Sequence, residues 1–339
     1  MSWRFLLLPM TPLYRGAVAA RNAAYRRGWI ERTRLDVPVI SVGNLTFGGT
    51  GKTPTVIALA RDLVRKGRHP AVLTRGYKRD DDAQAVVVGP DPKQTAAEVG
   101  DEPLEMARRL PGVPIVVDPD RARGGARAQL LGADVVVLDD GFQHRRLERD
   151  LDLVLVDAGD PFGGGRLPPL GRLREPLTGL ARAGAVLVTK VSTEWRAQVA
   201  EIERVAHRVA PGLEILVSRI RPNRVLVPPE GWREPTILSG QRVLAFAGLG
   251  RPEGFAATLV EAGAEIVATR WFPDHHAYTD QDLADILSQA RAASAVPVTT
   301  AKDAVKLSSE AGVWVVEPIV EPVGCSWDDL WRLLPEVDA

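Results

Sequence analysis

Eight residues near the N-terminus have the composition of a phosphate-binding loop. They are Thr46, Phe47, Gly48, Gly49, Thr50, Gly51, Lys52 and Thr53. Glycines let a backbone wrap around phosphates with several N–H groups pointing at them, and the helix that follows adds the positive end of its dipole. Lys52 would reach the β- and γ-phosphates, and the Thr53 hydroxyl would ligate Mg²⁺. The pattern usually begins with Gly instead of Thr, yet an apolar run before it and a helical pattern after it favour a nucleotide site over a structural turn.

Two carboxylates follow another apolar run. Residues 135–138 are Val-Val-Val-Leu, and Asp139 and Asp140 come next. At the end of a buried strand this is the Walker-B arrangement, which supplies a carboxylate to Mg²⁺, an ion that prefers oxygen ligands. The alternative is a solvated acidic pair. Beside a phosphate-binding loop the metal-binding interpretation is favoured, and we expect His144 near the same site.

A second acidic pair, Asp101 and Glu102, stands at the predicted start of a helix. Asp is a good N-cap and Glu is favourable in a first turn, so this pair has an ordinary structural explanation. Phosphoryl transfer to a hydroxyl also needs a carboxylate that accepts the alcohol proton. Spacing alone does not choose between an N-cap, a general base and a metal ligand.

Other polar groups stand in a long loop or at the ends of predicted strands: Arg174 with Glu175, Asp274 with His275 and His276, and Lys302 with Asp303. Long loops are often functional, so the first group is a candidate for presenting Arg to phosphates. No further Cys or His is spaced to complete a zinc site with the histidine pair, which leaves a hydrogen-bonding or a catalytic histidine.

Residues 187–192, Leu-Val-Thr-Lys-Val-Ser, indicate which base the bound nucleotide carries. G-proteins carry an Asn/Thr-Lys-x-Asp element at the end of a late strand. Ser192 stands where the Asp that reads guanine would be. The sequence therefore favours ATP over GTP.

Apolar strands alternate with helical patterns along most of the chain. Continuous Val/Leu strands separated by helices indicate a parallel sheet covered on both faces, so we predict an α/β fold with a P-loop-containing, doubly wound, mostly parallel sheet. A proline-rich stretch at 211–240 predicts a boundary, after which a second alternating set begins. The expected division is a P-loop domain at 31–220 and a smaller α/β domain at 221–339.

Composition excludes several classes of protein. The 339 residues carry a formal net charge of zero and one cysteine, so no global field recruits nucleic acid and no disulfide framework can form within the chain. We expect no signal peptide, no membrane-spanning run and no obligate protein partner.

The first 30 residues differ from this average. They contain five arginines and no acidic residue, with aromatic and aliphatic side chains between them, and a helix is predicted from about Leu13 to Gly28. Such an amphipathic basic segment suits the surface of an anionic membrane. The alternative is a helix packed on the core with a solvated basic face.

Taken in order, these segments resemble the tetraacyldisaccharide 4′-kinase family, the lipid A 4′-kinases of Gram-negative bacteria. The matching segments are 41–46 (Ser-Val-Gly-Asn-Leu-Thr), 48–54 (Gly-Gly-Thr-Gly-Lys-Thr-Pro), 74–77 (Thr-Arg-Gly-Tyr), 100–103 (Gly-Asp-Glu-Pro), 139–144 (Asp-Asp-Gly-Phe-Gln-His), 173–176 (Leu-Arg-Glu-Pro), 272–275 (Phe-Pro-Asp-His) and 299–303 (Thr-Thr-Ala-Lys-Asp). Several unrelated motifs thus recur in one order over most of the chain. Thr46 at the start of the loop is also typical of that family.

The resemblance implies ATP-dependent phosphorylation of the 4′-hydroxyl of a tetraacylated glucosamine disaccharide 1-phosphate. The product would be lipid IVA, in the biosynthesis of lipid A and lipopolysaccharide. It further implies a peripheral protein on the cytoplasmic face of the bacterial inner membrane, held on the anionic surface partly by residues 1–30. Active-site residues would face a cleft between the two domains.

The resemblance also implies roles for particular residues. Asp101 would be the catalytic base with His275 as its helper, or His276 as the alternative helper, while Lys52 and Arg174 would act on the phosphates. The expected Mg²⁺ ligands are Thr53 and either Asp139 or Asp140, with Glu102 or Glu175 as help. The residues expected to bind substrate are Asn44, Arg75, Gln143 and His144.

Two other classes of protein compete with this interpretation. One is a P-loop NTPase that phosphorylates no lipid, such as a metallochaperone-type GTPase or a partitioning-type ATPase, which Thr189 and Lys190 favour slightly. The missing guanine-reading Asp, the missing Cys/His clusters and the basic N-terminus disfavour it. The other is a nucleotide-dependent membrane adaptor without enzymatic activity.

Overall fold

The computed structural model describes residues 10–76, 85–89, 92–191, 195–308 and 311–334. Three sequence predictions fall outside these ranges: the first nine residues of the basic segment, Tyr77 of the matched 74–77 motif, and Ser192 at the proposed base-reading position.

A single 13-stranded sheet runs through the described residues. Its strands are β1 (Val39–Asn44), β2 (Pro70–Thr74), β3 (Val86–Val88), β4 (Ile115–Val117), β5 (Val135–Asp139), β6 (Leu151–Asp157), β7 (Ala185–Thr189), β8 (Glu214–Val227), β9 (Gly231–Arg233), β10 (Arg242–Gly248), β11 (Glu265–Phe272), β12 (Val296–Thr300) and β13 (Trp314–Pro322). The order across the sheet is β11-β10-β12-β13-β8-β7-β6-β1-β5-β2-β4-β3, and β9 pairs with β8.

Helices connect most of these strands. They are α1 (Met10–Arg26), α2 (Lys52–Arg65), α3 (Ala96–Val99), α4 (Asp101–Arg109), α5 (Arg121–Leu130), α6 (Trp195–Val209), α7 (Glu253–Glu261), α8 (Asp280–Ala292), α9 (Ala301–Ala304) and α10 (Trp327–Trp331). Short 3₁₀ helices lie at Pro161–Gly164, Leu177–Arg182 and Pro235–Leu238.

The strands β1 to β7 form the P-loop half of the sheet. All of their pairings are parallel except that of the edge strand β3 with β4. Ile40 and Val42 pack in a buried cluster with α2 and α4, while Val39 packs in another with α5 on the opposite face. Both faces are covered, as the apolar runs predicted, and the α/β doubly wound fold is confirmed.

Strand β8 joins this half to the C-terminal half, which comprises β10 to β13. Its first residues pair in parallel with β7, and its later residues pair antiparallel with β13. The predicted boundary between residues 220 and 221 falls inside β8, so one continuous strand belongs to both halves. The division of the chain into two domains stays a prediction.

Helix α1 lies against the P-loop half. The Tyr14 hydroxyl donates to the carbonyl oxygen of Arg174 at 2.7 Å, and Thr11 Oγ1 donates to that of Pro168 at 3.1 Å. The helix begins three residues before the predicted start, with Pro12 in its first turn, where no intrahelical N–H bond is needed. Within the described residues, no helix is long and apolar enough to cross a membrane.

Candidate active site

The loop between β1 and α2 has the backbone geometry of a phosphate-binding loop. Gly51 caps α2 with φ 85°, and Gly48 has φ 120°. Residues with a side chain rarely adopt such conformations. Among the described residues, the N–H groups of Gly48, Gly49 and Gly51 donate to no protein acceptor. These groups are available to an anion at the N-terminus of α2, where Lys52 is the first residue.

One side of this loop is held by the segment that carries Arg174. The Phe47 N–H donates to the carbonyl oxygen of Arg172 at 2.7 Å, and the Arg174 N–H donates to that of Leu45 at 2.7 Å. The Arg174 guanidinium also lies over the Phe47 ring, 5.4 Å from its centroid. The Gly/Pro/Arg-rich loop is therefore built into the phosphate-binding loop.

The other side is held by the end of β7. Thr189 Oγ1 donates to the carbonyl oxygen of Thr50 at 2.8 Å, and Lys190 Nζ donates to that of Gly49 at 2.5 Å and pairs with Asp157 at 2.8 Å. The Thr-Lys pair that resembled a base-reading element thus supports the backbone of the phosphate-binding loop.

Asp139 lies at the end of β5 as a buried carboxylate. Thr74 Oγ1 donates to its Oδ2 at 3.1 Å, whereas Oδ1 is buried without a hydrogen-bond partner among the described residues. Burial raises the pKa of Asp139 to about 7, and the neighbouring charges of Glu102 and Asp140 add to the shift. A cation at this position would lower that pKa again.

Asp140, in contrast, is surrounded by positively charged side chains. Its carboxylate lies 3.6 Å from Lys52 Nζ and accepts from Arg174 Nη1 at 2.9 Å on both oxygens. Burial would raise its pKa, but the charges of Lys52 and Arg174 outweigh burial and hold the pKa below its usual range. The pKa values of the two adjacent aspartates are therefore shifted in opposite directions.

The donor set fits a magnesium ion that is bound together with phosphates. The buried, unpartnered Oδ1 of Asp139 and the hydroxyl of Thr53 are hard oxygen ligands of the kind magnesium prefers. In the described part of the chain no group of three or more His, Cys, Asp or Glu residues could hold a metal by itself. Magnesium typically takes one or two carboxylates and completes its shell with phosphates and water.

Two further expected ligands lie beside basic residues. Glu175 is buried, and its two oxygens accept from the partly exposed Arg182 at 2.9 Å, so the structure does not bring this carboxylate to a metal. Glu102 lies 3.7 Å from Lys302 Nζ. Its charge raises the pKa of Asp139, so Glu102 lies near this candidate metal ligand.

Asp101 meets a histidine from the other half of the sheet. It begins α4 after Gly100, whose φ of 94° ends α3. His275 Nδ1, in the loop after β11, is 2.9 Å from both carboxylate oxygens of Asp101. Burial would raise the pKa of Asp101, but the hydrogen bond from His275 and the charges of Lys302 and Lys306 outweigh burial and lower it. Asp101 is therefore ionised at neutral pH.

The neighbouring histidine, His276, makes structural contacts. His276 Nε2 is 3.0 Å from Asp282, and its ring stacks on Phe272 with centroids 4.5 Å apart. Of the two candidate helpers only His275 contacts Asp101. Lys302, which the sequence left open, pairs with Asp274 at 2.9 Å and so lies at the same junction.

The residues expected to bind substrate are placed near the ends of β1, β2 and β5. Gln143 Nε2 donates to the carbonyl oxygen of Asn44 at 2.9 Å and to Glu175 at 3.1 Å. The side-chain amide of Asn44 is buried without a partner among the described residues, as is His144 Nε2. Burial, aided by nearby arginines, lowers the pKa of His144 to about 4. Arg75 is exposed.

Sequence reasoning missed Arg121. This side chain is buried, and it donates to the carbonyl oxygens of Asp118 at 2.8 Å and Asp139 at 3.2 Å. Burial lowers its pKa to about 10, although the charges of Asp139 and Asp140 oppose the shift. A single Arg at a predicted helix start carries no signal, because only the tertiary fold places it under the acidic pair.

A P-loop, an acidic strand end and an Asp–His pair on one α/β sheet define a phosphotransferase of the P-loop class. Residues 3–334 match the protein family described as tetraacyldisaccharide-1-P 4′-kinase. A tetraacyldisaccharide 4′-kinase of Anaeromyxobacter sp. (strain Fw109-5) is 46% identical over 308 residues, which are 89% of this chain and 82% of that protein. One of Syntrophus aciditrophicus (strain SB) is 44% identical over 319 residues, covering 89% and 84%.

A solved structure agrees with these relatives. The crystal structure of the "apo" form of LpxK from Aquifex aeolicus in complex with ATP has a TM-score of 0.77 and 33% identity, and the match covers 98% of both chains. The chain belongs to the tetraacyldisaccharide 4′-kinase family. The predicted family, fold class and kinase activity are confirmed.

Proposed function

We propose that this chain transfers the γ-phosphate of ATP to the 4′-hydroxyl of tetraacyldisaccharide 1-phosphate, giving lipid IVA in lipid A biosynthesis. The observation that carries the proposal is the contact of Asp101 with His275 at 2.9 Å, beside a P-loop whose Lys52 faces the acidic pair. Membership of the family supports the acceptor. The ATP complex of the Aquifex protein supports the nucleotide.

The donor side rests on the P-loop. The N–H groups of Gly48, Gly49 and Gly51 and the ammonium of Lys52 hold the phosphates. A magnesium ion held by Thr53 and Asp139 would neutralise charge on the β- and γ-phosphate oxygens. Arg174 lies 2.9 Å from Asp140, from where its guanidinium can stabilise the charge that spreads over the transferring group.

The acceptor side rests on Asp101. With its lowered pKa this carboxylate is unprotonated at neutral pH, so it can accept the proton of the sugar hydroxyl. The hydroxyl oxygen forms a bond to the γ-phosphorus, the bond to the bridging oxygen breaks, and ADP leaves with the electron pair. His275 donates its Nδ1 hydrogen to Asp101 and so fixes the direction of the carboxylate.

The substrate-binding roles of Asn44, Arg75, Gln143 and His144 belong to this proposal. Gln143 supports the end of β1 through its hydrogen bond to Asn44, and Arg75 offers an exposed guanidinium for the acceptor phosphate. His144 remains neutral at physiological pH because its pKa is about 4. It therefore acts as a hydrogen-bonding group, not as a charge.

We place the enzyme on the cytoplasmic face of the inner membrane, with residues 1–30 on the anionic lipid surface. The supporting observation is that Arg15, Arg21 and Arg26 are exposed on α1 while Tyr14 faces the protein. Exposed basic residues on a docked helix attract anionic lipid headgroups. The acyl chains of the substrate can then stay in the membrane while the sugar reaches the cleft.

One assay tests the proposed function against its competitors. ATP labelled at the γ-phosphate is incubated with tetraacyldisaccharide 1-phosphate, and label in the lipid is measured beside free phosphate. We expect lipid labelling, with a loss of about 10²- to 10⁴-fold in Asp101→Ala because a general base is removed, and a severe loss in Lys52→Ala. Lys66→Ala, at the other end of α2, is the control. Steady phosphate release without lipid labelling would identify an NTPase instead, and near-normal turnover of Asp101→Ala would remove Asp101 as the base.

A further inference from the structure

Glu317 is a buried carboxylate in strand β13 that the proposed chemistry does not use. Only 1% of this residue is exposed. Its Oε1 accepts from Arg61 Nη2 at 2.9 Å and lies 3.8 Å from Arg109 Nε, and its Oε2 accepts from Arg224 Nη2 at 2.9 Å. Three arginines from α2, α4 and β8 therefore converge on one side chain of the C-terminal half.

Two of these arginines, Arg61 and Arg109, also form hydrogen bonds that connect the secondary-structure elements. Arg61 donates to the carbonyl oxygen of Arg109 at 2.9 Å, and Arg109 donates to Glu105 at 2.7 Å and to the carbonyl oxygen of Pro318. The helices α2 and α4 are thus tied to each other and to β13 at one point. We call Glu317, Arg61, Arg109, Arg224 and Glu105 the Glu317 cluster.

Burial makes this cluster sensitive to the loss of its central charge. Burial would raise the pKa of Glu317, but the charges of Arg109, Arg224 and Arg61 outweigh burial and hold it below its usual range. Removing one partner from a buried ionic group leaves uncompensated charge, which costs far more than the loss of an exposed pair. Without the Glu317 charge, three guanidinium groups would lie close together, and among the described residues Glu105 is the carboxylate left to pair with one of them, Arg109.

The two helices fixed here are the helices that begin at the active site. Lys52 is the first residue of α2, and Asp101 is the first residue of α4. Along α4, residues 101, 105 and 109 are spaced by four and share one face of the helix. That face carries Asp101 towards His275 at one end and Arg109 towards Glu317 at the other.

We propose that Glu317 is a positioning residue that sets the distance between the phosphate-binding lysine on α2 and the proposed base on α4. The inference rests on the proposed function, because it assigns Asp101 and Lys52 to opposite sides of one phosphoryl transfer. Reacting groups must be held close to their productive geometry, and a misplacement of about 1 Å can lower a rate by about 10²-fold. Glu317 acts through the helices and touches no substrate.

Strand β13 offers a matched control. Glu321 lies four residues further along the strand and pairs with Arg219 and Arg221 of β8. Its side chain is partly exposed, and in the described residues its hydrogen bonds and ion pairs involve neither α2 nor α4. Glu321→Gln removes the same charge from the same pair of strands without touching the helices.

The experiment compares Glu317→Gln with Glu321→Gln at a temperature where both are folded. We expect Glu317→Gln to lower kcat for lipid phosphorylation by about 10²-fold while the Kd for ATP stays close to that of the wild type, because the P-loop itself is intact. Glu321→Gln should keep its kcat. Hydrogen exchange is measured on the same proteins, and we expect faster exchange of the α2 and α4 amides in Glu317→Gln only.

The outcomes separate this inference from the proposed function. A wild-type protein that labels no lipid would overturn the function, while the exchange data would still decide whether Glu317 holds the two helices. Unchanged exchange in Glu317→Gln, or a kcat equal to that of Glu321→Gln, would overturn the inference. If Glu317→Gln does not fold, Arg224→Gln replaces it. That change removes the most exposed arginine of the Glu317 cluster. It should also lower kcat, to a smaller extent, while the Kd for ATP stays close to that of the wild type.

Discussion

The pKa of Asp101 depends on the hydrogen bond from His275. This bond and the nearby lysines outweigh burial and lower the pKa, so the acid limb of the kcat/KM profile should lie below the usual carboxylate range. His275→Ala removes the bond and leaves burial less opposed. We therefore expect the pKa of Asp101 to rise and the acid limb to move to higher pH.

A second substitution, His275→Asn, separates the effect of the hydrogen bond to Asp101 from the effect of the backbone conformation at His275. His275 has φ 63°, which Asn adopts more readily than most residues. The amide of Asn can also donate to Asp101 from about the position of Nδ1, so His275→Asn should move the acid limb less than His275→Ala does. Equal acid limbs in the wild type and His275→Ala would show that His275 does not control the base.

The pKa of Asp139 is raised, whereas that of Asp101 is lowered, so protonation of Asp139 should stabilise the folded protein. Its pKa is about 7 in the folded protein and about 4 in an unfolded chain. Because the folded state holds the proton more tightly, the stability contributed by the protonated form is present below about pH 4 and is lost as pH rises to about 7. Asp139→Asn has no such loss, so its Tm advantage over the wild type should grow between about pH 5 and pH 8.

Thermal unfolding without nucleotide measures this difference, and the same variant should lose kcat because the proposed metal ligand is gone. Asp280→Asn, at the exposed start of α8, serves as the control. Tm differences that stay constant with pH would contradict the raised pKa of Asp139.

Among the elements, those that could be predicted were the ones with a local signal. The apolar run at 135–138 lies in β5, and the helix that was predicted to start at Asp101 is α4. Strand β8 was missed because Arg219, Arg221 and Pro222 interrupt its apolar pattern. The two arginines fit a strand because β13 lies beside it and supplies Glu321 as their partner.

The residues of the candidate active site likewise divide into those that the sequence indicated and those that it did not. Lys52, Asp139 and Asp140 belong to motifs whose spacing reports their chemistry, so the sequence indicated them. Arg121 and Glu317 have ordinary neighbours in the sequence, and their importance comes from burial and from partners far along the chain. The placement of Glu175 against Arg182 was hidden for the same reason, because a motif match does not show which cation a carboxylate meets.

In the described residues, a hydrogen bond from Tyr14 couples helix α1 to the active site. Tyr14 donates to the carbonyl oxygen of Arg174, and the guanidinium of Arg174 binds Asp140. Tyr14→Phe should cost about 1 kcal/mol of docking free energy, so we expect faster hydrogen exchange of residues 14–26 and a modest fall in kcat. Tyr25→Phe keeps the ring that stacks with Arg145 and is the matched control. Identical exchange in Tyr14→Phe and the wild type would show that α1 is held by other contacts.

Over the whole chain the charges sum to zero, but their distribution is uneven. Arg15, Arg21 and Arg26 are exposed on α1, and no acidic residue lies within residues 1–30. Each basic residue near an anionic membrane contributes about 1 kcal/mol, an interaction that salt screens over a Debye length of about 10 Å at 0.1 M. Binding to the membrane should therefore depend on this one surface.

The triple variant Arg15→Gln, Arg21→Gln and Arg26→Gln tests that surface without removing Tyr14. In sedimentation with vesicles that contain anionic phospholipid, we expect its partition coefficient to fall by roughly 10²-fold, from three charges at about 1 kcal/mol each. The wild-type protein should lose the same advantage at high salt, and with neutral vesicles the two proteins should bind alike. Arg65→Gln, on the exposed end of α2, should bind as the wild type does. If the triple variant partitions like the wild type into anionic vesicles, another surface of the molecule holds the enzyme at the membrane.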